Sequence, residues 1–212
     1  MLCERIPCAD IVRFGKNGND VTSAAIRLSR YVTGNNHVLF CGYHGWQDWY
    51  ISKTSMNGGI PSEVGNYSHR FPYNDLSALE ALLQELDGKT ACIIMEPTSR
   101  IHPKEGYLQG VRDLADKYQV VLIFDEVITG FRVAGGGAQE MSNIVPDLAT
   151  YAKSLAASLA TEQEVEISGN NLTLELVESR ARDLRAMWNT RMRSLVIAYR
   201  VIEVMDSSTP TE

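Results

Sequence analysis

The sequence has no long hydrophobic run and no excess of basic residues, and each absence excludes a class of protein. Its apolar runs, such as the one at 120–124, fall far short of the ~20 residues that a membrane-spanning helix needs. With 20 Lys+Arg against 26 Asp+Glu, the formal charge is −6. Proteins that bind nucleic acids or anionic membranes in general carry basic faces. We therefore expect neither a nucleic-acid nor a membrane partner.

Paired metal ligands and a secretory leader are also missing. The four cysteines, at positions 3, 8, 41 and 92, form no CxxC pair, and no histidine stands at metal-ligand spacing. Zinc sites are built from such local pairs, so we expect no metal. The first residues lack a basic segment followed by an apolar stretch, so we expect no signal peptide and a cytoplasmic location with reduced thiols.

The remaining composition, 44 % apolar and 22 % charged, is that of an ordinary globular protein. Helical spacing of apolar residues predicts helices at 21–32, 76–86 and 107–118, and apolar runs predict strands at 37–41, 91–95 and 120–124. Gly34 is placed to end the first helix and Asp75 to cap the second. Strands that are apolar throughout are buried on both faces. The alternation therefore predicts an α/β fold with a mostly parallel central sheet flanked by helices.

The pattern changes in the last quarter of the chain. Two alternating runs around a polar turn at 169–171 predict a hairpin. Apolar residues spaced three and four apart then predict a long amphipathic helix over 177–202. The predicted organisation is a core at 1–158 and a divergent, helical C-terminal segment at 159–212.

The loop at 14–20 is a candidate anion site because it leads directly into the first helix and contains two glycines. Such a junction offers unpaired backbone N–H groups, and the positive end of the helix, to a phosphate. It matches neither a Walker loop nor a GxGxxG fingerprint, so it does not indicate a nucleotide. A plain helix-capping loop explains the same residues equally well.

Two candidate features follow predicted strands, where the ligands of open α/β sheets gather. Tyr43 and His44 follow one strand, and the aromatic ring there either stacks on a flat ligand or belongs to a packed corner. Asp125 and Glu126 end another strand, where two acids need a positive partner. That partner is either Arg132 or the cationic nitrogen of a bound heterocycle.

Lys153 completes the set. It follows an apolar, strand-like run and belongs to no charged cluster, surroundings in which a lysine can act as a Schiff-base nucleophile. Most such lysines are simply solvated. Together, a phosphate loop, an aromatic ring, an acid and a lysine are the contacts that pyridoxal 5'-phosphate requires.

Five segments in this order resemble the class III (subgroup II) pyridoxal-phosphate aminotransferases, and within them the glutamate-1-semialdehyde 2,1-aminomutase-like branch. The segments are 12–20 (VRFGKNGND), 41–48 (CGYHGWQD), 94–97 (IMEP), 124–132 (FDEVITGFR) and 146–153 (PDLATYAK). Residues 6–155 are similar to the large, cofactor-binding domain of that family. The resemblance thus makes the predicted core at 1–158 a pyridoxal-phosphate-binding large-domain core.

The resemblance implies roles for individual residues. Lys153 would form a Schiff base with pyridoxal 5'-phosphate and move a proton, and Asp125 would pair with the pyridine nitrogen. Both are implied catalytic residues, and Glu96 would support them from behind. The implied cofactor-binding residues are Gly18, Asn19, Tyr43, His44, Asp125, Val127 and Lys153.

The implied activity is transfer or 1,2-migration of an amino group on a small amino-acid or amino-aldehyde substrate, in a homodimer. Two departures from the family pattern stand out. Asn19 takes the place of a small hydroxyl residue, and the glycine-rich turn and sheet strand that follow the lysine in the family are not recognisable after Lys153. The family's small domain has no recognisable counterpart either. The alternative is therefore a truncated, non-catalytic relative that keeps the fold and acts by association.

Overall fold

The computed structural model describes residues 2–98 and 100–152, together with three short strands at 166–168, 171–173 and 195–199. The strands are β1 (Ile11–Gly15), β2 (His37–Cys41), β3 (Ser68–Arg70), β4 (Thr90–Met95), β5 (Val121–Glu126), β6 (Leu148–Ala152), β7 (Glu166–Ser168), β8 (Asn171–Thr173) and β9 (Leu195–Tyr199). The helices are α1 (Gly18–Thr33), α2 (Asp48–Ile51), α3 (Leu76–Glu85), α4 (Tyr107–Lys117) and α5 (Ala138–Ser142), with a 3₁₀ helix at Ser62–Tyr67.

Seven of these strands form one sheet in the order β1-β9-β6-β5-β4-β2-β3. The strands from β6 to β3 in that order are parallel, whereas β9 is antiparallel to both of its neighbours. Because β9 is antiparallel to both, β1 runs in the same direction as β6. The predicted α/β class, with a mostly parallel sheet flanked by helices, is confirmed.

The prediction of a helix over 177–202 is wrong where the structure describes that segment. Leu195–Tyr199 is the strand β9, which pairs residue by residue with β1 and with β6. Its sequence, LVIAY, is a short apolar run that fits a helical period and a buried strand equally well. Its two β-branched residues suit the strand. The rest of the predicted helix lies outside the described residues.

Part of the predicted C-terminal segment therefore belongs to the core sheet. The predicted hairpin is confirmed, because β7 pairs with β8 in antiparallel register and Ile167 lies opposite Leu172.

The sheet is buried on both faces, as continuous apolar strands require. Along β5, Leu122 and Phe124 pack into one hydrophobic layer and Ile123 packs into the other. Strand β6 repeats the alternation, with Leu148 on the Ile123 side and Ala149 on the Phe124 side. Since successive strand residues face opposite sides, Asp125 lies on the Ile123 side and Glu126 on the Phe124 side.

Helix α1 begins three residues earlier than predicted, and its caps explain why. The Asn17 side chain accepts from the Asp20 amide at 3.1 Å, and the Asp20 carboxylate accepts from the Asn17 amide at 3.2 Å. This reciprocal capping starts the helix at Gly18 and places Gly18 and Asn19 in its first turn. Gly34 ends the helix in the left-handed conformation with φ of 70°, as predicted.

Asp75 caps α3 through the Ala78 amide, also as predicted. Within the described ranges, no helix is both long and apolar enough to span a bilayer.

A pair of histidines joins the two strands at one edge of the sheet. Nδ1 of His37 in β2 lies 2.8 Å from Nε2 of His69 in β3. Burial is the main cause that lowers the pKa of each histidine below its ordinary value of 6.5. The nearby cations Lys89 and Lys53 lower the two pKa values further.

We expect this pair to make the fold less stable at acidic pH. Because both pKa values are lower in the folded chain, the unfolded chain binds more protons as the pH falls through about 6.5, and the free energy of unfolding falls with it. The double variant His37→Gln/His69→Gln should lose less stability than the wild type between about pH 7.5 and about pH 5.5 in urea unfolding. His102→Gln, at an exposed position, is the control and should keep the wild-type slope. An unchanged slope in the double variant would contradict the prediction.

Candidate functional site

The carboxyl ends of six described strands, β1 to β6, meet at one edge of the sheet, here called the carboxyl edge. Gly15 at the end of β1 and Ala152 at the end of β6 both align with Leu195 of β9, so they lie at the same level. The loop that starts α1 and the turn that follows β2 leave the sheet at this edge. Every predicted site residue that the structure describes is located here.

Asp125 is a buried acid of the site, with 4 % of its surface exposed. Its Oδ2 lies 2.8 Å from Nδ1 of His44. Its Oδ1 accepts from the Thr150 hydroxyl at 3.0 Å and from the Val127 amide at 3.3 Å. These three contacts offset the cost of burying the carboxylate.

His44 is buried beside Asp125 and has an acceptor at each ring nitrogen. Its Nε2 lies 3.1 Å from the Cys41 carbonyl oxygen, which can only accept, so Nε2 carries a proton. The hydrogen bond between Nδ1 of His44 and Oδ2 of Asp125 contains a second proton. Three aromatic side chains surround the imidazole, with ring centroids 5.5 to 6.5 Å away, and hold it in this orientation: Phe40, Trp49 and Tyr50.

The partner of Asp125 is therefore a histidine, and the predicted structural ion pair to Arg132 is wrong. The Arg132 guanidinium donates instead to the carbonyl oxygens of Val127 and Ile128, at 2.6 and 2.8 Å. Glu126 is fully buried and accepts hydrogen bonds from uncharged donors. Arg132 therefore contacts neither acid, and other groups supply the hydrogen bonds that the two acids at the end of β5 require.

Tyr43 presents its ring to the carboxyl edge and is held mainly by its backbone. The ring is 66 % exposed, and the Tyr43 amide donates to Oε2 of Glu96 at 2.9 Å. Gly42, with φ of 107°, passes so close to Glu96 that an added Cβ would lie 2.6 Å from the carboxylate. Burial raises the pKa of the Glu96 carboxyl, and the Tyr43 amide partly offsets that rise. Glu96 therefore supports the turn that carries Tyr43.

Asn19 joins the start of α1 to the same turn. Its side-chain oxygen accepts from the Trp46 amide at 3.2 Å. Gly45 lies against that carboxamide with φ of 95°, where an added Cβ would overlap the Asn19 oxygen. The Asn19 side chain, which stands where the family has a small hydroxyl residue, is therefore hydrogen-bonded to the turn. The backbone amides of Gly18 and Asn19 remain available to an anion.

These residues fit pyridoxal 5'-phosphate. A carboxylate accepts about four hydrogen bonds, and the described residues supply three to Asp125, which leaves Oδ2 with room for one ring N–H donor. The first helical amides have no partner within a helix, so a phosphate could accept from Gly18 and Asn19. Val127 is half-buried beside Asp125 and exposed Tyr43 offers a flat face.

Lys153 lies outside the described residues. It follows Ala152, the last residue of β6. In the same strand, Thr150 pairs with Asp125 of β5. Thr150 is a site residue that sequence reasoning missed. Its only signal is its place opposite Asp125, which becomes visible once the register of β5 and β6 is known.

The fold and this site agree with a known family. The family profile described as Aminotransferase class-III matches residues 2–173, and the chain belongs to that family, as the five segments predicted. The match extends past residue 158, where the sequence pattern changes.

Two curated relatives have different names. The chain is 41 % identical over 165 residues to 3-aminobutyryl-CoA aminotransferase of Cloacimonas acidaminovorans, an alignment that covers 75 % of this chain. It is 42 % identical over 167 residues to glutamate-1-semialdehyde 2,1-aminomutase of Methanocaldococcus jannaschii, an alignment that covers 72 % of this chain. Each alignment covers 39 % of the relative, so the chain spans well under half the length of these proteins.

Solved structures share the fold. An omega-transaminase from Sphaerobacter thermophilus aligns with a TM-score of 0.72 at 25 % identity, over 99 % of this chain and 44 % of that one. A glutamate-1-semialdehyde aminomutase from Pseudomonas aeruginosa aligns with a TM-score of 0.69 at 20 % identity, over 100 % of this chain and 43 % of that one. A transaminase with PLP bound aligns with a TM-score of 0.72 at 20 % identity, over 100 % of this chain and 45 % of that one.

The contact between Gly45 and Asn19 gives a test of the site's geometry. Gly45→Ala should destabilise the chain in urea unfolding by about 1–3 kcal/mol for the positive φ alone, and by more because the new methyl overlaps Asn19. In the Asn19→Ala background the overlap is removed, so Gly45→Ala should cost less there. Equal costs in the two backgrounds would show that the two residues are not in contact.

Proposed function

We propose that this chain binds pyridoxal 5'-phosphate at the carboxyl edge and moves an amino group on a small amino-acid or amino-aldehyde substrate. The observation that carries the proposal is the buried pair of Asp125 and His44 at the carboxyl edge, in which the described residues supply three of the roughly four hydrogen bonds that the Asp125 carboxylate can accept. The names of the relatives, one an aminotransferase and one an aminomutase, support amino-group chemistry of both kinds.

When bound, pyridoxal 5'-phosphate supplies an aldehyde that takes up amino groups and a ring that withdraws electrons. Asp125 would accept the hydrogen bond of the ring nitrogen and so favour its protonated form. His44 holds Asp125 in place through Nδ1 and is itself fixed through Nε2 by the Cys41 carbonyl. A negative charge opposite the ring nitrogen is thereby oriented before any ligand arrives.

The other residues bind and shield. Tyr43 and Val127 would hold the two faces of the ring by stacking and packing. The amides of Gly18 and Asn19 would donate to the phosphate at the start of α1. Lys153 would offer its amine for covalent attachment of the aldehyde, with release of water, and would serve as the group that moves a proton.

Lys153→Ala tests covalent attachment. After incubation with pyridoxal 5'-phosphate and dialysis, the wild type should keep a near-visible absorption band, and treatment with borohydride should fix the added mass to Lys153. Lys153→Ala should lose both signals because it has no amine for the aldehyde.

The matched control is Lys117→Ala, which removes an exposed lysine that pairs with Glu80 on the outer surface. It should keep the band and the fixed mass. A wild type that retains neither would overturn cofactor binding and favour the alternative, a non-catalytic module that acts by association.

We further propose that the chain forms a homodimer, as the resemblance implies. Tyr43 and Trp46 are 66 % and 68 % exposed at the carboxyl edge, which leaves large apolar rings uncovered beside the site. A second copy would cover them and complete the wall of the site.

Light scattering tests the dimer. The expected mass is twice the 23.6 kDa of one chain, and it should hold over a tenfold dilution at micromolar concentration. Trp46→Asp, which places a charge on the exposed ring position, should shift the equilibrium toward the monomer. A wild type that stays a monomer at every concentration would remove the shared-site proposal.

A further inference from the structure

Glu126 is a fully buried acid that the proposed chemistry does not use. It follows Asp125 in β5, and its side chain lies on the opposite face of the sheet. Four donors from three residues meet its carboxylate, and none of them is charged. They are the Thr129 hydroxyl at 2.7 Å, the Ala138 amide at 2.6 Å, and the Gln139 amide and side chain at 3.1 and 3.2 Å.

The network joins three separate parts of the chain. Thr129 belongs to the turn after β5, Ala138 and Gln139 begin α5, and Tyr151 lies in β6. Gln139 also donates to the Tyr151 hydroxyl at 2.7 Å, and that hydroxyl donates its one proton to the Gly136 carbonyl at 2.7 Å. Gln139 in turn accepts from the Cys8 amide at 2.9 Å. A single carboxylate therefore joins the ends of two neighbouring strands to a loop.

The register of the two strands connects this network to the site. In β5 and β6, Asp125 lies opposite Thr150 and Glu126 lies opposite Tyr151. The first pair is joined by its side chains on the site face at 3.0 Å. The second is joined on the opposite face through the Gln139 side chain, which donates to both Glu126 and Tyr151. Rotation of the last two residues of β5 about the strand axis would disturb both sets of contacts together.

We infer that Glu126 is a positioning residue for the Asp125–His44 pair, which it holds in place from the opposite face of the sheet. The inference rests on the proposed function for its role in cofactor binding. Only a carboxylate can accept at both oxygens, and each oxygen of Glu126 faces at least two donors. Burial raises the pKa of the Tyr151 hydroxyl, which keeps it a donor in the network.

Glu126→Gln is the sharpest variant, because it preserves shape and places an N–H group against backbone N–H donors whichever way the amide turns. We expect it to raise the Kd for pyridoxal 5'-phosphate by about tenfold or more. We also expect a shift of the His44 ring N–H signal in nitrogen-15 NMR of the cofactor-free chain. The signal is assigned by its loss in His44→Asn.

A matched control lies at the other end of the same strand. Asp147 accepts from the Leu122 amide of β5 at 2.7 Å and from Arg112 at 3.0 Å, so Asp147→Asn also removes a carboxylate that holds β5. It should lower the melting temperature but leave the His44 signal and the Kd at wild-type values. Asp147→Asn thus separates loss of positioning from general loss of stability.

Tyr151→Phe gives an independent test should Glu126→Gln fail to fold. It removes the hydroxyl that joins Gly136 to Gln139, the residue that donates to Glu126, and preserves the packed ring, so it should shift the His44 signal in the same direction by a smaller amount. A wild-type His44 signal in every folded variant at these two positions, or the same shift in Asp147→Asn, would overturn the inference. A wild-type chain that binds no cofactor would refute the proposed function alone, because the His44 signal does not depend on the cofactor.

Discussion

The hydrogen bond between Asp125 and His44 is the constraint on which the site depends. Both groups are withdrawn from water, and a buried carboxylate is tolerated only when hydrogen-bond partners replace the water it loses. The parallel register of β5 and β6 supplies Thr150, and the turn after β2 supplies His44 within a shell of aromatic rings. The fold therefore creates the site's electrostatics at the place where strands end.

The carboxyl edge is built from short pieces of chain that hold one another. Asn19 connects α1 to the turn at Trp46, and Glu96 supports the same turn from the end of β4 through Tyr43. Residues far apart in sequence thus meet through backbone amides, which are present whatever the side chain. Such contacts explain how Asn19 can replace a hydroxyl residue and still leave the first amides of α1 open to an anion.

Much of this arrangement could be predicted from the sequence. Strand β2 and both ends of α3 follow from apolar spacing and an Asp75 cap, because these signals are local. The five segments predicted the family. The partner of Asp125 could not be predicted, because His44 is 81 positions away in the chain and only the sheet brings the two together. Strand β9 was missed for a related reason, since LVIAY becomes a strand only where β1 and β6 leave a place for it.

The position of β9 between β1 and β6 has a consequence for how the chain folds during synthesis on the ribosome. Strand β1 pairs in the sheet with β9 and with no other described strand, and β9 comes from residues 195–199. During synthesis from the N-terminus, β1 is made first but can form its described pairing only after β9 has been made. Non-local pairing of this kind slows folding because the loop must close before the contact forms. Strand β1 is therefore expected to become ordered late, after the parallel strands have assembled.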